Sequence, residues 1–129
     1  MNDYRLFFQD WKCWDRFEER VDAINGVYAF RLKNKFGRLV GESDLLYFGK
    51  CQQNPHRNKR PGLWHRLNNY RQNNKGASNR LKDLEKEIGG KHEIEYSYVV
   101  CENPREIEKE LLQSYLLQHY EYPPLNRNS

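Results

Sequence analysis

GVYAFRLKNKFGRLVGESDLLYFGK, residues 26 to 50, is the stretch whose reading decides the fold. Its ends, GVYAFRLK (26–33) and LLYFGK (45–50), are rich in strand-forming Val, Tyr, Phe and Leu. The polar, glycine-containing piece NKFGRLVGESD between them reads as the long tip of a hairpin. Outward from this hairpin, EIEYSYVV (93–100) alternates cleanly and supplies a third strand. Before it, Trp11, Trp14, Phe17, Val21 and Ile24 recur at the three-and-four spacing of an amphipathic face, which predicts a helix from about Asp10 to Ile24, stopped by Asn25-Gly26. CQQNPHRNKRP (51–61) is too polar and proline-broken to be regular and reads as a basic loop. A helix follows from near Gly62, with Leu63, Leu67 and Tyr70 on the side that also carries Arg66. NRLKDLEKEI (79–88) forms another, with Ser78 as its cap and Gly89-Gly90 as its stop. Asn103-Pro104-Arg105-Glu106 has the form of a capping box with proline at the first helical position, and the Pro123-Pro124 pair ends the helix it launches. The expected architecture is α+β: a small three-stranded antiparallel sheet flanked by helices. The 129 residues fit one domain, with 1–25 as a helical extension and 26–126 as the core.

Charge is distributed unevenly. Residues 45 to 82 contain no Asp or Glu but hold Lys50, Arg57, Lys59, Arg60, Arg66, Arg71, Lys75, Arg80 and Lys82, nine of the chain's 22 basic residues; the remaining 13 face all 18 acidic ones elsewhere. A basic block inside an otherwise acidic chain reads as a surface for polyanions, nucleic acid first. Trp64, Tyr70, Asn68, Asn69, Asn73 and Asn74 in the same segment suit sugar, phosphate and base contacts. The three cysteines, Cys13, Cys51 and Cys101, are odd in number and widely scattered, which argues against a disulfide framework or a cysteine zinc site. No run approaches the roughly 18 apolar residues of a membrane span, and MNDYRLFFQDWK lacks the apolar core of a signal peptide. The expectation is a cytoplasmic protein without membrane contact.

REIEKELLQSYL (105–116) sets three glutamates at every second position. With about 100° between successive helical side chains, Ile107, Leu111, Leu112, Tyr115 and Leu116 fall within about 100° of Glu108, whereas Glu106 and Glu110 lie opposite. Glu106 belongs to the cap, and Glu110 to solvent. A carboxylate at Glu108, in the middle of an apolar face, requires a cation, a metal or a hydrogen-bond donor. Either a metal or a buried arginine such as Arg66 meets that requirement.

Five separate features line up, in order, with one family pattern. GVY at 26–28, YFG at 47–49, the arginine of LWHRLNNY, the glutamate of EKELL and the asparagine of PPLN occur in the order seen in GIY-YIG nucleases, which the chain resembles over residues 26 to 126. The resemblance implies that Tyr28 and Tyr47 are the two motif tyrosines and Lys50 the lysine that often follows the second. Arg66 matches the family's helix arginine, Glu108 its metal-binding glutamate and Asn126 its terminal asparagine. Tyr70 stands one turn after the arginine, where homing-type members place histidine and repair-type members tyrosine. Val27 and Phe48 replace the two isoleucines. The stretches between the tyrosine motifs and from Gly49 to Arg66 are longer than in most members, and the second brings in His56, Arg57, Lys59 and Arg60.

The resemblance implies a divalent-metal-dependent DNA endonuclease with one Mg²⁺ or Mn²⁺ held by Glu108. Charge builds on a phosphodiester under attack, so a cation and a fixed guanidinium belong where it develops. Arg66 would clamp the nonbridging oxygens in the two-pronged geometry that lysine lacks. Tyr28 or Tyr47 would activate the water, with its pKa of about 10 lowered by cations such as Lys50 or the metal. Asn126 is either a turn residue after Pro-Pro or a support for the site. Arg57, Lys59, Arg60, His65, Arg71 and Lys75 would contact the duplex or branched DNA. No extra recognition domain accompanies this core, so a protein partner that supplies specificity and a binding module that does not cut are the other expectations.

Overall fold

The computed structural model of the chain describes residues 3–17, 25–52, 67, 70, 77–90 and 93–126. Its elements in order are α1 (Tyr4–Phe7), β1 (Lys12–Cys13), a single 3-10 turn (Trp14–Arg16), β2 (Gly26–Gly37), β3 (Glu42–Cys51), α2 (Ala77–Ile88), β4 (Ile94–Val100) and α3 (Pro104–His119). Leu67 and Tyr70 are helical as well. The fold is α+β, and its antiparallel sheet has four strands rather than three, in the order β1-β4-β2-β3.

The fourth strand comes out of the segment expected to be helical from Asp10. Lys12 and Cys13 pair with Tyr96 and Glu95 on the outer edge of β4, and Trp14 begins the 3-10 turn. The i, i+3 pair Trp14 and Phe17 that suggested an α-helix is delivered by this one turn, since a 3-10 helix also brings residues three apart together. Both side chains are buried against Tyr96, with ring centroids 5.5 and 5.2 Å from it. The part of that expected helix from 18 to 24 lies outside the described residues, as do the loop beyond Gln52 and the start of the helix near Gly62.

The hairpin is longer and its tip shorter than expected. NKFG and ESD join the strands, leaving residues 38–41 as a turn closed by Arg38 N–H to the Gly41 carbonyl at 2.9 Å, with Gly41 at φ 72°. Register shifts between Phe30 and Arg31, and again before Phe36, absorb the unequal strand lengths. One bulge leaves Leu46 as an extra residue between the pairs Arg31↔Leu45 and Phe30↔Tyr47.

Both faces of the sheet are covered, which explains why Gly26–Phe30 is buried with little interruption. On one face, Trp14, Tyr28, Phe30, Tyr70 and Tyr96 form an aromatic core with Leu67 and with Leu81 of α2. On the other, Val27, Ala29, Leu45 and Phe48 pack against Tyr4 and Phe8 and against Leu111 and Tyr115 of α3.

The helix ends differ in detail from their sequence signals. Ala77 and Ser78 are already helical, so Ser78 is not the cap. Gly89 and Gly90 terminate α2 at φ 99° and 122°, with Gly90 N–H bonded to the Glu85 carbonyl at 2.8 Å. Asn103 does precede the first turn of α3 and Pro104 opens it, but the Asn103 side chain makes no cap bond to the backbone; its Nδ2 reaches Glu106 Oε2 at 3.4 Å. The pair expected to close a capping box therefore bonds side chain to side chain. α3 ends at Tyr120 in the left-handed conformation, three residues ahead of Pro123. Among the described residues, no helix is long and apolar enough to cross a membrane.

Candidate functional site

Tyr28 lies on the central strand β2, directly opposite Gly49 of β3. A Cβ on Gly49 would sit 2.2–2.4 Å from Cζ, Cε2 and Oη of Tyr28, so the tyrosine ring lies across the glycine backbone. The first motif's tyrosine thus dictates the second motif's glycine: a cross-strand aromatic covers a residue with no side chain. Tyr47, two residues earlier and paired with Phe30, points to the same face.

Tyr70 completes the cluster from its helical position. Its ring centroid is 5.6 Å from Tyr28 and 5.9 Å from Tyr47, and Tyr28 and Tyr47 are 6.3 Å apart. The Tyr28 and Tyr70 hydroxyls share a buried hydrogen bond of 2.9 Å. Tyr28 is 2% exposed and Tyr70 5%, whereas Tyr47 is half-buried. Of the three tyrosines, Tyr47 is the one that is not buried.

Asn126 does two things at once. It closes a turn, with its N–H bonded to the Pro123 carbonyl at 3.1 Å. Its side chain also clamps Phe48: Oδ1 accepts the Phe48 N–H and Nδ2 donates to the Phe48 carbonyl, each at 2.9 Å. Together with Leu125 N–H to the Leu46 carbonyl at 3.0 Å, this lays residues 125–126 along the outer edge of β3. An edge strand that would otherwise present open backbone is thereby closed where the YFG motif begins.

Glu108 is half-buried, while Glu106 and Glu110 are exposed, as the helical arithmetic required. Pro104, Leu111, Ser114, Tyr115 and His119 mark the buried side of α3, and Glu108 falls in that stripe between Pro104 and Leu111. Lys50 pairs with Val27, so its side chain leaves the sheet on the face of Val27, Ala29 and Phe48, where α3 lies. Both Lys50 and the start of α3 belong to the same end of the sheet, because Gly26 pairs with Cys51 and with Val100, and Cys101 N–H bonds the Asn25 carbonyl at 3.4 Å. The opposite end of α3 meets the hairpin tip through His119 Nδ1 and the Val40 carbonyl, 2.8 Å apart. The candidate residues therefore form two groups: three tyrosines on one face, and Lys50 with Glu108 on the other.

Arg66, Arg57, Lys59, Arg60, His65, Arg71 and Lys75 lie outside the described residues. Among the described residues, no three His, Cys, Asp or Glu side chains gather where an ion could sit. The Glu108 carboxylate is a hard oxygen ligand of the kind Mg²⁺ and Mn²⁺ take. Two features of the site escaped sequence reasoning, the Tyr28–Gly49 pairing and the inward turn of Arg80, whose Nη2 donates to the Leu125 carbonyl at 2.7 Å. Register could have pointed to the first; nothing in a run of basic residues distinguishes the one that turns inward.

No protein-family model, curated protein or solved structure matches the chain.

Proposed function

We propose that this protein is a divalent-metal-dependent endonuclease of the GIY-YIG type that hydrolyses DNA phosphodiester bonds. The observation that supports this reading best is the interlock of its two tyrosine motifs. Tyr28 needs Gly49 to lie flat, Gly49 follows Tyr47 in the chain, and Asn126 pins the residue between them. Motif spacing, strand register and terminal clamp converge on one rigid tyrosine face, as a preorganised site requires.

In this reading Tyr47, as the phenolate, rather than Tyr28 takes the proton of the attacking water and becomes the neutral phenol, because the Tyr28 hydroxyl is buried against Tyr70. Tyr28 and Tyr70 hold the Tyr47 ring from its sides. Glu108 would hold a divalent cation, which would supply positive charge for the phosphate and the leaving oxygen. Lys50, on the Glu108 face, adds positive charge for the phosphate; it does not stand beside Tyr47. Arg66 clamps the nonbridging oxygens. The basic residues of segment 50–82 hold the DNA backbone, which gives selectivity for DNA structure more than for sequence.

The test is incubation of the protein, and of Glu108→Ala and Tyr47→Phe, with supercoiled plasmid and labelled branched oligonucleotides in Mg²⁺, Mn²⁺ or EDTA. The expected outcome is metal-dependent cleavage by the native protein, a loss of at least about a hundredfold in either variant and retained DNA binding. Salt-sensitive binding without cleavage in any metal would instead make the chain a nucleic-acid-binding module.

A further inference from the structure

Arg80 lies on α2 within the basic block, yet its side chain is not spent on solvent. It is half-buried, its Nη2 donates to the Leu125 carbonyl at 2.7 Å, and its Nε is buried. Leu125 is the first residue of the stub that closes the β3 edge. Its N–H bonds the Leu46 carbonyl at 3.0 Å, and the next residue holds both backbone groups of Phe48. These three bonds fall at residues 46 and 48, one on each side of Tyr47.

A part-buried carbonyl is well satisfied by a charged donor, and the long arginine stem spans from helix to stub in a way a short polar residue cannot. Leu125 itself packs only at the margin of the aromatic core, beside a cleft of about 530 Å³ lined by Arg80, Asp83, Leu84, Lys86 and Glu87. We propose that Arg80 is a positioning residue for Tyr47. It ties α2 to the 125–126 stub, and the stub fixes the stretch of β3 from which the Tyr47 ring projects. The consequence for catalysis rests on the nuclease reading above; the tie itself does not.

Two variants and two measurements test this. Arg80→Ala removes the donor and opens the Leu125 carbonyl to water in the cleft, so the fold survives; Arg80→Lys keeps a charged donor. Amide hydrogen exchange is expected to rise about tenfold or more at Phe48 and Leu125 in Arg80→Ala, while the β2–β4 ladder keeps its protection. Plasmid cleavage in Mg²⁺ is expected to lose about tenfold in kcat at unchanged KM, and Arg80→Lys is expected to recover part of both effects. Unchanged exchange at Phe48 and Leu125 in Arg80→Ala would overturn the tie. A raised KM with native kcat would overturn the positioning role and make Arg80 a phosphate contact. Absence of cleavage by the native protein would sink the nuclease reading, while the exchange measurement still decides the tie.

Discussion

At the scale of single residues, the structure explains why particular side chains stand where they do, and each explanation has a measurable cost. Gly49→Ala forces a methyl group into the Tyr28 ring, so unfolding free energy is expected to fall by about 2–3 kcal/mol in urea titration. In a Tyr28→Ala background the same Gly49→Ala change should cost much less, because the three atoms nearest to the added methyl all belong to Tyr28; a purely backbone effect would cost the same in both backgrounds. Asn126→Asp keeps an acceptor for the Phe48 N–H but turns a second oxygen on the Phe48 carbonyl. The expected loss at pH 7 is about 1–3 kcal/mol. Since the protonated acid can donate to that carbonyl, its folded pKa lies above the unfolded one. The penalty is then full above the folded pKa and shrinks as pH falls toward the unfolded value of about 4. Thermal melts of the variant and the native protein at pH 7 and pH 5 check the sign. Legibility at this scale was uneven. The inward direction of Glu108 followed from helical angles alone, whereas the partner of Asn126 lies 78 residues away and no local pattern names it.

At the scale of elements, the strongest sequence signals were the stops and the strands. Gly89-Gly90 ends α2 at positive φ, and a Cβ on Gly89 would meet nothing within 4 Å. Gly89→Ala is therefore expected to cost only backbone strain, about 1 kcal/mol, seen as a melting temperature lower by a few degrees. Tyr4 shows how the short helix α1 is held on the hairpin: its hydroxyl donates to Asp44 Oδ1 at 2.7 Å and lies 3.3 Å from Ser43 Oγ. Burial first, and the Asp44 carboxylate after it, push the Tyr4 phenol well above its ordinary value of 10.0. An acid whose pKa rises on folding adds stability that is complete below the unfolded pKa and declines above it. Tyr4→Phe should therefore cost about 1–2 kcal/mol at pH 7, and the difference between variant and native protein should narrow as pH rises past 10. The element that sequence periodicity misplaced is the helix from Asp10. A three-residue aromatic spacing is shared by α and 3-10 turns, and pairing of Lys12 and Cys13 with β4 outweighs the helical pattern.

At the scale of the whole molecule, charge separates along the chain and the sheet separates the site into two faces. If segment 50–82 grips DNA through its backbone, log Kd is linear in log salt. Replacing Arg57, Lys59 and Arg60 together should reduce that slope by about 0.9 for each phosphate those side chains neutralise, with little change between DNA sequences. An unchanged slope would remove those three residues from the interface.

By itself the sequence determined the α+β class, the central hairpin, the strand at EIEYSYVV, the start of α3 and the side of α3 on which Glu108 stands. Each of these rests on local periodicity or on stop residues whose backbone preferences act over a few neighbours. Only the tertiary structure decided the fourth strand, the face each tyrosine takes, the burial of Tyr28 against Tyr70, and the closure of the β3 edge by Asn126 under Arg80. Those depend on strand register and on contacts between residues far apart in the chain, and a one-residue shift of register exchanges the two faces of the sheet.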